Sequence, residues 1–253
     1  MKNYILSLLI LAFCVSCTKE DNESLPGSPI SKTDLKFSVT QQQGHDNIVI
    51  VNSLTKGSYI PFWEVAANLS NKPIDTLIVP FAGTYTIYYS IYTSGGPMGD
   101  STQITVSGND PGYFSSPMWN QLTSGIAGKT WVWATDRPTG ICYGNGSGEA
   151  VVPEWWQNGI DYLTGEGVAD DEMTFNLDGA ANFSFTHAGV SKAATFDLDT
   201  LKKTIKITGS DISLGAGKIT YVVVKLTDDE LTLAQQGAGW RNLWLFKRKG
   251  YTY

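Results

Sequence analysis

Histidine and cysteine are scarce in this chain, with two of the first and three of the second among 253 residues. A histidine-based triad needs nucleophile, base and orienting carboxylate in one cleft, yet His45 and His187 fall in separate halves of the sequence. No G-x-S-x-G elbow occurs. Transition-metal sites need clustered thiolates and imidazoles, and an EF-hand needs its fixed aspartate spacing; both patterns are missing. Basic residues are outnumbered by acidic ones, 18 against 24, which argues against nucleic acid, whose phosphates call for a basic face. No apolar run reaches the ~20 residues needed to cross a bilayer as a helix.

What is there is aromatic and glycine-rich. Aromatic residues make up 12 % of the chain, charged residues only 17 %, and there are 26 glycines. That palette suits strands and tight turns rather than helical bundles. It also suits an uncharged partner.

The first residues read as a targeting segment. Lys2 precedes a short apolar run, residues 4–15 (YILSLLILAFCV), which ends in Ser16-Cys17. This resembles the lipobox of bacterial lipoproteins, so residues 1–16 are expected to be the signal peptide and Cys17 the lipidation site. Lys19, Glu20, Asp21 and Glu23 follow at once. They resemble the acidic export tag of surface lipoproteins in Bacteroidota-type bacteria, which implies an outer-membrane protein anchored by lipid and facing the cell exterior. Cleavage removes Lys2 and no carboxylate, so the formal charge of −6 becomes −7. Cys142 is then the lone remaining thiol besides the anchor, and no intrachain disulfide is available to the mature protein.

Residues 17–33 are Ser-, Pro- and Asn-rich and read as a flexible tether. Residues 34–107 read as short strands between turn signals, the pattern of a β-sandwich. Within them Gly83-Thr84-Tyr85-Thr86-Ile87, the following "TQITV", and the upstream "IVNS" and "FWEV" resemble the immunoglobulin-like PKD-domain family. The glycine motif usual after the tryptophan is replaced here by "VAANLSN". The resemblance implies a spacer or adhesive module, with Trp63 in its core. Residues 108–124 read as a linker, with Phe114 and Trp119 packing it against a neighbour.

Residues 125–253 read as an antiparallel meander that ends as a barrel or a second sandwich. "KTWVWAT" opens it, a glycine-rich irregular stretch follows at residues 140–148, and three hairpins come next, the first turning at residues 178–179 and the third at 227–229, before "RNLWLFKRKG" closes it. "GKTW" and "YVVVKLTDDELTL" resemble the lipocalin-like domains of bacterial lipoproteins. The domain order is similar to that of surface glycan-binding lipoproteins, in which a PKD-like module precedes a tryptophan-rich β-domain. The whole chain is thus expected to be all-β.

Six tryptophans fall in this last region. Indole rings offer large, rigid, flat surfaces that suit the C–H faces of sugars. Trp131 and Trp244 sit in alternating runs and read as core. The stretch "VVPEWWQNG" raises the sharper question, because adjacent Trp155 and Trp156 in an extended segment point to opposite sides. The candidate glycan-binding residues are Trp155, Trp156, Trp240 and Trp133, with Glu154, Gln157, Asn158 and Tyr143 beside them. The resemblance implies capture of a neutral polysaccharide such as a β-glucan and its hand-over to an outer-membrane uptake porin complex, with no catalysis, metal or cofactor. Two alternatives stand beside this reading. A glycoside hydrolase would pair Glu154 with a carboxylate of residues 170–172, and a lipocalin-like carrier would line an enclosed cavity with its aromatics. A calcium site among Asp110, Asp170, Asp171 and Asp178 is the remaining metal chemistry the sequence allows.

Overall fold

Strands follow wherever the sequence alternates, and the computed structural model describes residues 25–66 and 68–253. The expected signal peptide, Cys17 and the start of the tether lie outside the described residues. The first strands are β1 (Phe37–Gln42), β2 (His45–Ser53), β3 (Ile60–Val65), β4 (Asn68–Ser70), β5 (Ile74–Ile78), β6 (Gly83–Thr93) and β7 (Gly96–Val106). They form a three-stranded sheet in the order β1-β2-β5 and a four-stranded sheet in the order β4-β3-β6-β7. In β3 the alternation is clean, with Pro61, Trp63 and Val65 buried. The Trp63 ring lies 4.3 Å from that of Tyr89 on β6 and 5.9 Å from that of Phe37 on β1, so the two sheets meet through aromatic contacts. Its indole N–H donates to the Lys72 carbonyl at 3.0 Å, which satisfies the one polar atom that burial would otherwise strand.

The remaining strands are β8 (Lys129–Trp133), β9 (Tyr143–Ser147), β10 (Trp156–Asn158), β11 (Glu172–Asn176), β12 (Asn182–His187), β13 (Val190–Asp199), β14 (Thr204–Thr208), β15 (Thr220–Leu226), β16 (Glu230–Gln236) and β17 (Trp240–Arg248). Eight of them, β8 and β11 through β17, form an antiparallel barrel closed by pairing of β17 with β8. The choice left open by the sequence therefore falls to the barrel for this part of an all-β chain. Closure removes the free edges that an open meander would expose.

The barrel interior is filled by side chains. Period-two alternation and cross-strand register place Trp131, Trp133, Phe175, Phe183, Tyr221, Trp244 and Phe246 on the inner face, all of them buried. One end is stoppered by helix α1 (Pro117–Thr123), which sits in the stretch that reads from sequence as a plain linker. Ser116 before it and Pro117 at its first position are ordinary helix-start residues. Trp131 donates its indole N–H to the Leu122 carbonyl at 3.0 Å, Lys129 donates to the Gln121 carbonyl at 2.6 Å, and Trp119 packs against Phe196 at 6.0 Å.

At the other end the seam changes partners. Residues 246–248 of β17 pair with β8, whereas residues 240–244 pair with β9, and β10 adds to the far edge of β9. The sheet thus continues past the barrel rim as a three-stranded platform, β17-β9-β10. Helix α2 (Ile160–Gly165) follows β10. Here the structure corrects the sequence reading a second time, since residues 143–147 of the supposed irregular stretch form β9.

The backbone divides into two compact units. The first comprises the described residues up to Thr40, Ile50–Leu77 and Thr86–Gln103; the second comprises Gln41–Val49, Ile78–Tyr85 and Ile104–Tyr253. In the second unit Asn109 acts as a clip. Its Oδ1 accepts from the Ala82 amide at 2.8 Å and its Nδ2 donates to the Leu177 carbonyl at 2.9 Å.

Candidate functional site

The platform is built on glycine. Along β9 the sequence Tyr143-Gly144-Asn145-Gly146-Ser147-Gly148 puts a glycine at every second position, so one face of the strand is bare backbone. The chain from Ala150 to Trp156 folds across that face. A Cβ on Gly144 would come within 1.9 Å of the Trp156 carbonyl oxygen and 2.9 Å of Pro153, and one on Gly146 within 2.7 Å of Ala150. Gly144 also has φ +154°, a conformation side-chain-bearing residues rarely adopt. The Asn145 carbonyl accepts from both the Glu154 and Trp155 amides, at 2.9 and 3.0 Å. The Glu154 carboxylate accepts from the Ser147 amide at 3.0 Å, and the Gln157 side-chain amide donates to the Pro153 and Glu154 carbonyls at 3.1 Å each. Glu154 and Gln157 therefore spend part of their polar capacity holding the segment in place.

The adjacent tryptophans have different settings. Trp155 is 64 % exposed and lies just ahead of β10. Trp156 is 42 % exposed and anchored, with its ring edge-on to Tyr143 at 5.5 Å and to Tyr162 of α2 at 5.3 Å. Trp240 is 38 % exposed at the start of β17. Its ring folds back over its own hairpin turn, where a Cβ on Gly237 would meet it at 2.2 Å. One indole face is thereby fixed against the turn.

The register sorts the other side chains. Trp156 lies opposite Asn145, which lies opposite Asn242; Asn158 lies opposite Tyr143, which lies opposite Trp244; and Ser147 lies opposite Trp240. Cross-strand partners share a face, and so do alternate residues of a strand. Trp156 and Trp240 therefore project to one side of the platform, which is the side continuous with the barrel interior. Two strand spacings and two residues of rise separate them by roughly 12 Å.

Two of the expected glycan-binding residues are not at the surface. Trp133 is 2 % exposed, with its indole N–H donating to the Val168 carbonyl at 3.0 Å and its ring 4.8 Å from Phe246. It shares the inward face of β8 with Trp131, as a spacing of two requires, and belongs to the core. Tyr143 is also buried. It lies beneath Trp156, with Trp244 at 5.6 Å and Tyr162 stacked at 6.0 Å. Burial, with smaller contributions from Tyr162 and Glu166, pushes its phenol above the ordinary value, so it stays neutral and serves as a floor. Asn158 is half-buried on the same face.

The sequence reading misses Asn145 and Tyr162. Asn145 is hidden in a stretch that reads as irregular; the signal for it is the alternation of glycine with larger residues. Its Oδ1 and the Nδ2 of Asn158 are fully buried and make no hydrogen bond among the described residues.

A second polar cluster lies at the same end of the barrel. The buried Asp171 carboxylate sits 2.7 Å from Nδ1 of the exposed His187 and accepts from the Ser213 hydroxyl. Trp244 donates its indole N–H to the Ser213 carbonyl at 2.9 Å. Serine and histidine both bond the carboxylate rather than each other, so the serine–base contact of a triad is not made. Among the described residues, no three His, Cys, Asp or Glu side chains come together as a metal cage.

Compared with known protein families and with curated proteins, the chain matches none. The PKD-like and lipocalin-like resemblances accordingly rest on the motifs in the sequence.

Proposed function

We propose that the protein is a lipid-anchored glycan-binding protein of the bacterial outer membrane. In this reading it holds a neutral polysaccharide at the cell exterior and delivers it, uncut, to an uptake porin complex. One observation carries the proposal. Trp156 and Trp240 are exposed on one side of a platform whose backbone is pinned by glycine packing and hydrogen bonds, and Trp155 is exposed just ahead of it. Exposed large aromatics held rigid lose little entropy on binding and match the flat faces of sugar rings. The Ser16-Cys17 lipobox and the acidic residues behind it support the location. The carrier alternative is weakened by an interior already occupied by aromatic side chains.

The test is affinity electrophoresis of residues 24–253 in gels cast with neutral and acidic polysaccharides. Retardation by a neutral glycan is expected, abolished in a folded Trp155→Ala variant. Mobility unchanged in every gel would overturn the reading. Release of reducing sugar from the bound glycan would instead establish a hydrolase.

A further inference from the structure

Polar atoms without partners are costly inside a protein, and most are satisfied. Two that are not lie together here. Asn145 Oδ1 and Asn158 Nδ2 are fully buried and, among the described residues, unpartnered. They stand on neighbouring antiparallel strands and on the same face, since Asn145 opposes Trp156 while Asn158 opposes Tyr143. They are thus diagonal neighbours, with Cα atoms roughly 7–8 Å apart. Both atoms are closed to solvent, and the contact between the Trp156 and Tyr143 rings, 5.5 Å apart, crosses the other diagonal of the same four positions, so a small polar group reaches the pair only when a ring moves.

The chemistry of that group follows from the two atoms. One is an acceptor and the other a donor. A carboxylate has no proton to offer Asn145 Oδ1, and an ammonium has no lone pair to offer Asn158 Nδ2. An alcohol offers both through one oxygen. The side chain adjacent to both follows from register. Trp156 is the cross-strand partner of Asn145 and stands two residues from Asn158 on the same face. It is half in solvent and held by two edge-on ring contacts. The aromatic floor behind, Tyr143 over Trp244, is fixed.

We propose that Asn145 and Asn158 form a hydroxyl-recognising pocket of the glycan site, opened when the Trp156 ring turns aside for a sugar. A sugar hydroxyl donates to Asn145 Oδ1 and accepts from Asn158 Nδ2, while Trp240, on the same side of the platform, holds a neighbouring part of the chain. The inference rests on the glycan-binding reading and adds to it a selection for an uncharged hydroxyl at one position.

The experiment measures affinity and melting temperature of the same variants in the 24–253 protein. The probes are laminarin, mixed-linkage β-glucan, xyloglucan and dextran. Asn145→Ala and Asn158→Ala are made, together with Asn158→Leu, which keeps nearly the same shape without the amide. Trp155→Ala serves as the control for the exposed platform. The expected result is that the glycan that retards the wild type binds about tenfold more weakly to each asparagine variant. Their melting temperatures should be unchanged or raised, because an unsatisfied buried group has been removed. Wild-type affinity in the asparagine variants, with Trp155→Ala defective, would overturn the pocket and leave the glycan reading standing. Lowered melting temperatures with unchanged affinity would assign the pair to an internal water and overturn it as well. If the wild type binds none of the four probes, the pocket falls together with the reading it rests on.

Discussion

At the scale of single residues, the two adjacent tryptophans separate by partner. Trp156 is held by two edge-to-face contacts, each worth about 0.5–1.5 kcal/mol, so Trp156→Ala should lower the melting temperature measurably in a calorimetric scan. Trp155 is the more exposed ring, and Trp155→Ala should leave thermal stability within about 0.5 kcal/mol of wild type while removing glycan retardation. Cys142 is the opposite case. It is buried, and burial raises its thiol to about 12. It should resist alkylation in the native protein at pH 8 and react at once in denaturant, as mass spectrometry after timed iodoacetamide treatment would show. How far such residues are legible in the sequence depends on their neighbours. Trp131 and Trp244 lie in alternating runs, and alternation announces a buried face. Trp133 belongs by the same spacing to the face of Trp131, and its place among the candidates sets chemical type above position. Asn145 escapes a hydropathy reading because glycines flank it on both sides and such patterns need side chains to work on; only the glycine alternation itself marks it.

At the scale of elements, the glycines of β9 and helix α1 decide most. Gly144→Ala forces a methyl group into the Trp156 carbonyl and should destabilise by about 3 kcal/mol. The damage should be concentrated in the platform, with amide exchange accelerating in β9 and β10 before it does in β12 or β13. Helix α1 reads from sequence as linker because seven residues are too few for a helical period to show through a Pro- and Ser-rich stretch. Its role emerges only in three dimensions, where the Leu122 and Gln121 carbonyls receive Trp131 and Lys129. A fragment of residues 125–253 would leave both donors without these acceptors. It should therefore melt well below a fragment of residues 108–253, which keeps α1, in parallel circular-dichroism scans. The first and third hairpins, in contrast, are legible almost to the residue, because Asp-Gly and Thr-Asp-Asp turns break clear period-two runs.

At the scale of the whole molecule, carboxylates held below their ordinary range set the response to acid. Asp46 is lowered by the Ser107 hydroxyl and amide, and Asp75 chiefly by the Ser70 hydroxyl. Burial pushes Glu230 up, but bonds from Lys225 and Tyr253 outweigh it and its carboxyl also ends low. Each of these groups favours the folded state when ionised, so its contribution is present above the unfolded carboxyl value of about 4 and is lost as pH falls through the lowered folded value. The melting temperature should be nearly flat from pH 8 to pH 5 and drop steeply below about pH 4. Tyr253→Phe, which removes a 2.8 Å donor to Glu230, should move that drop to higher pH.

The change of partners along β17 has a mechanical consequence. This strand is bonded to β16 on one edge along most of its length, and to β9 and then β8 on the other. A polymer gripped at Trp240 and drawn along the strand axis loads both rows of bonds in shear, so they resist together instead of opening one after another. Pulling between residues 240 and 248 in an optical trap should thus require more force than pulling across the strands from residue 158 to residue 236. The closing strand of the barrel would then serve as the tendon through which tension applied at the platform is spread into the barrel wall.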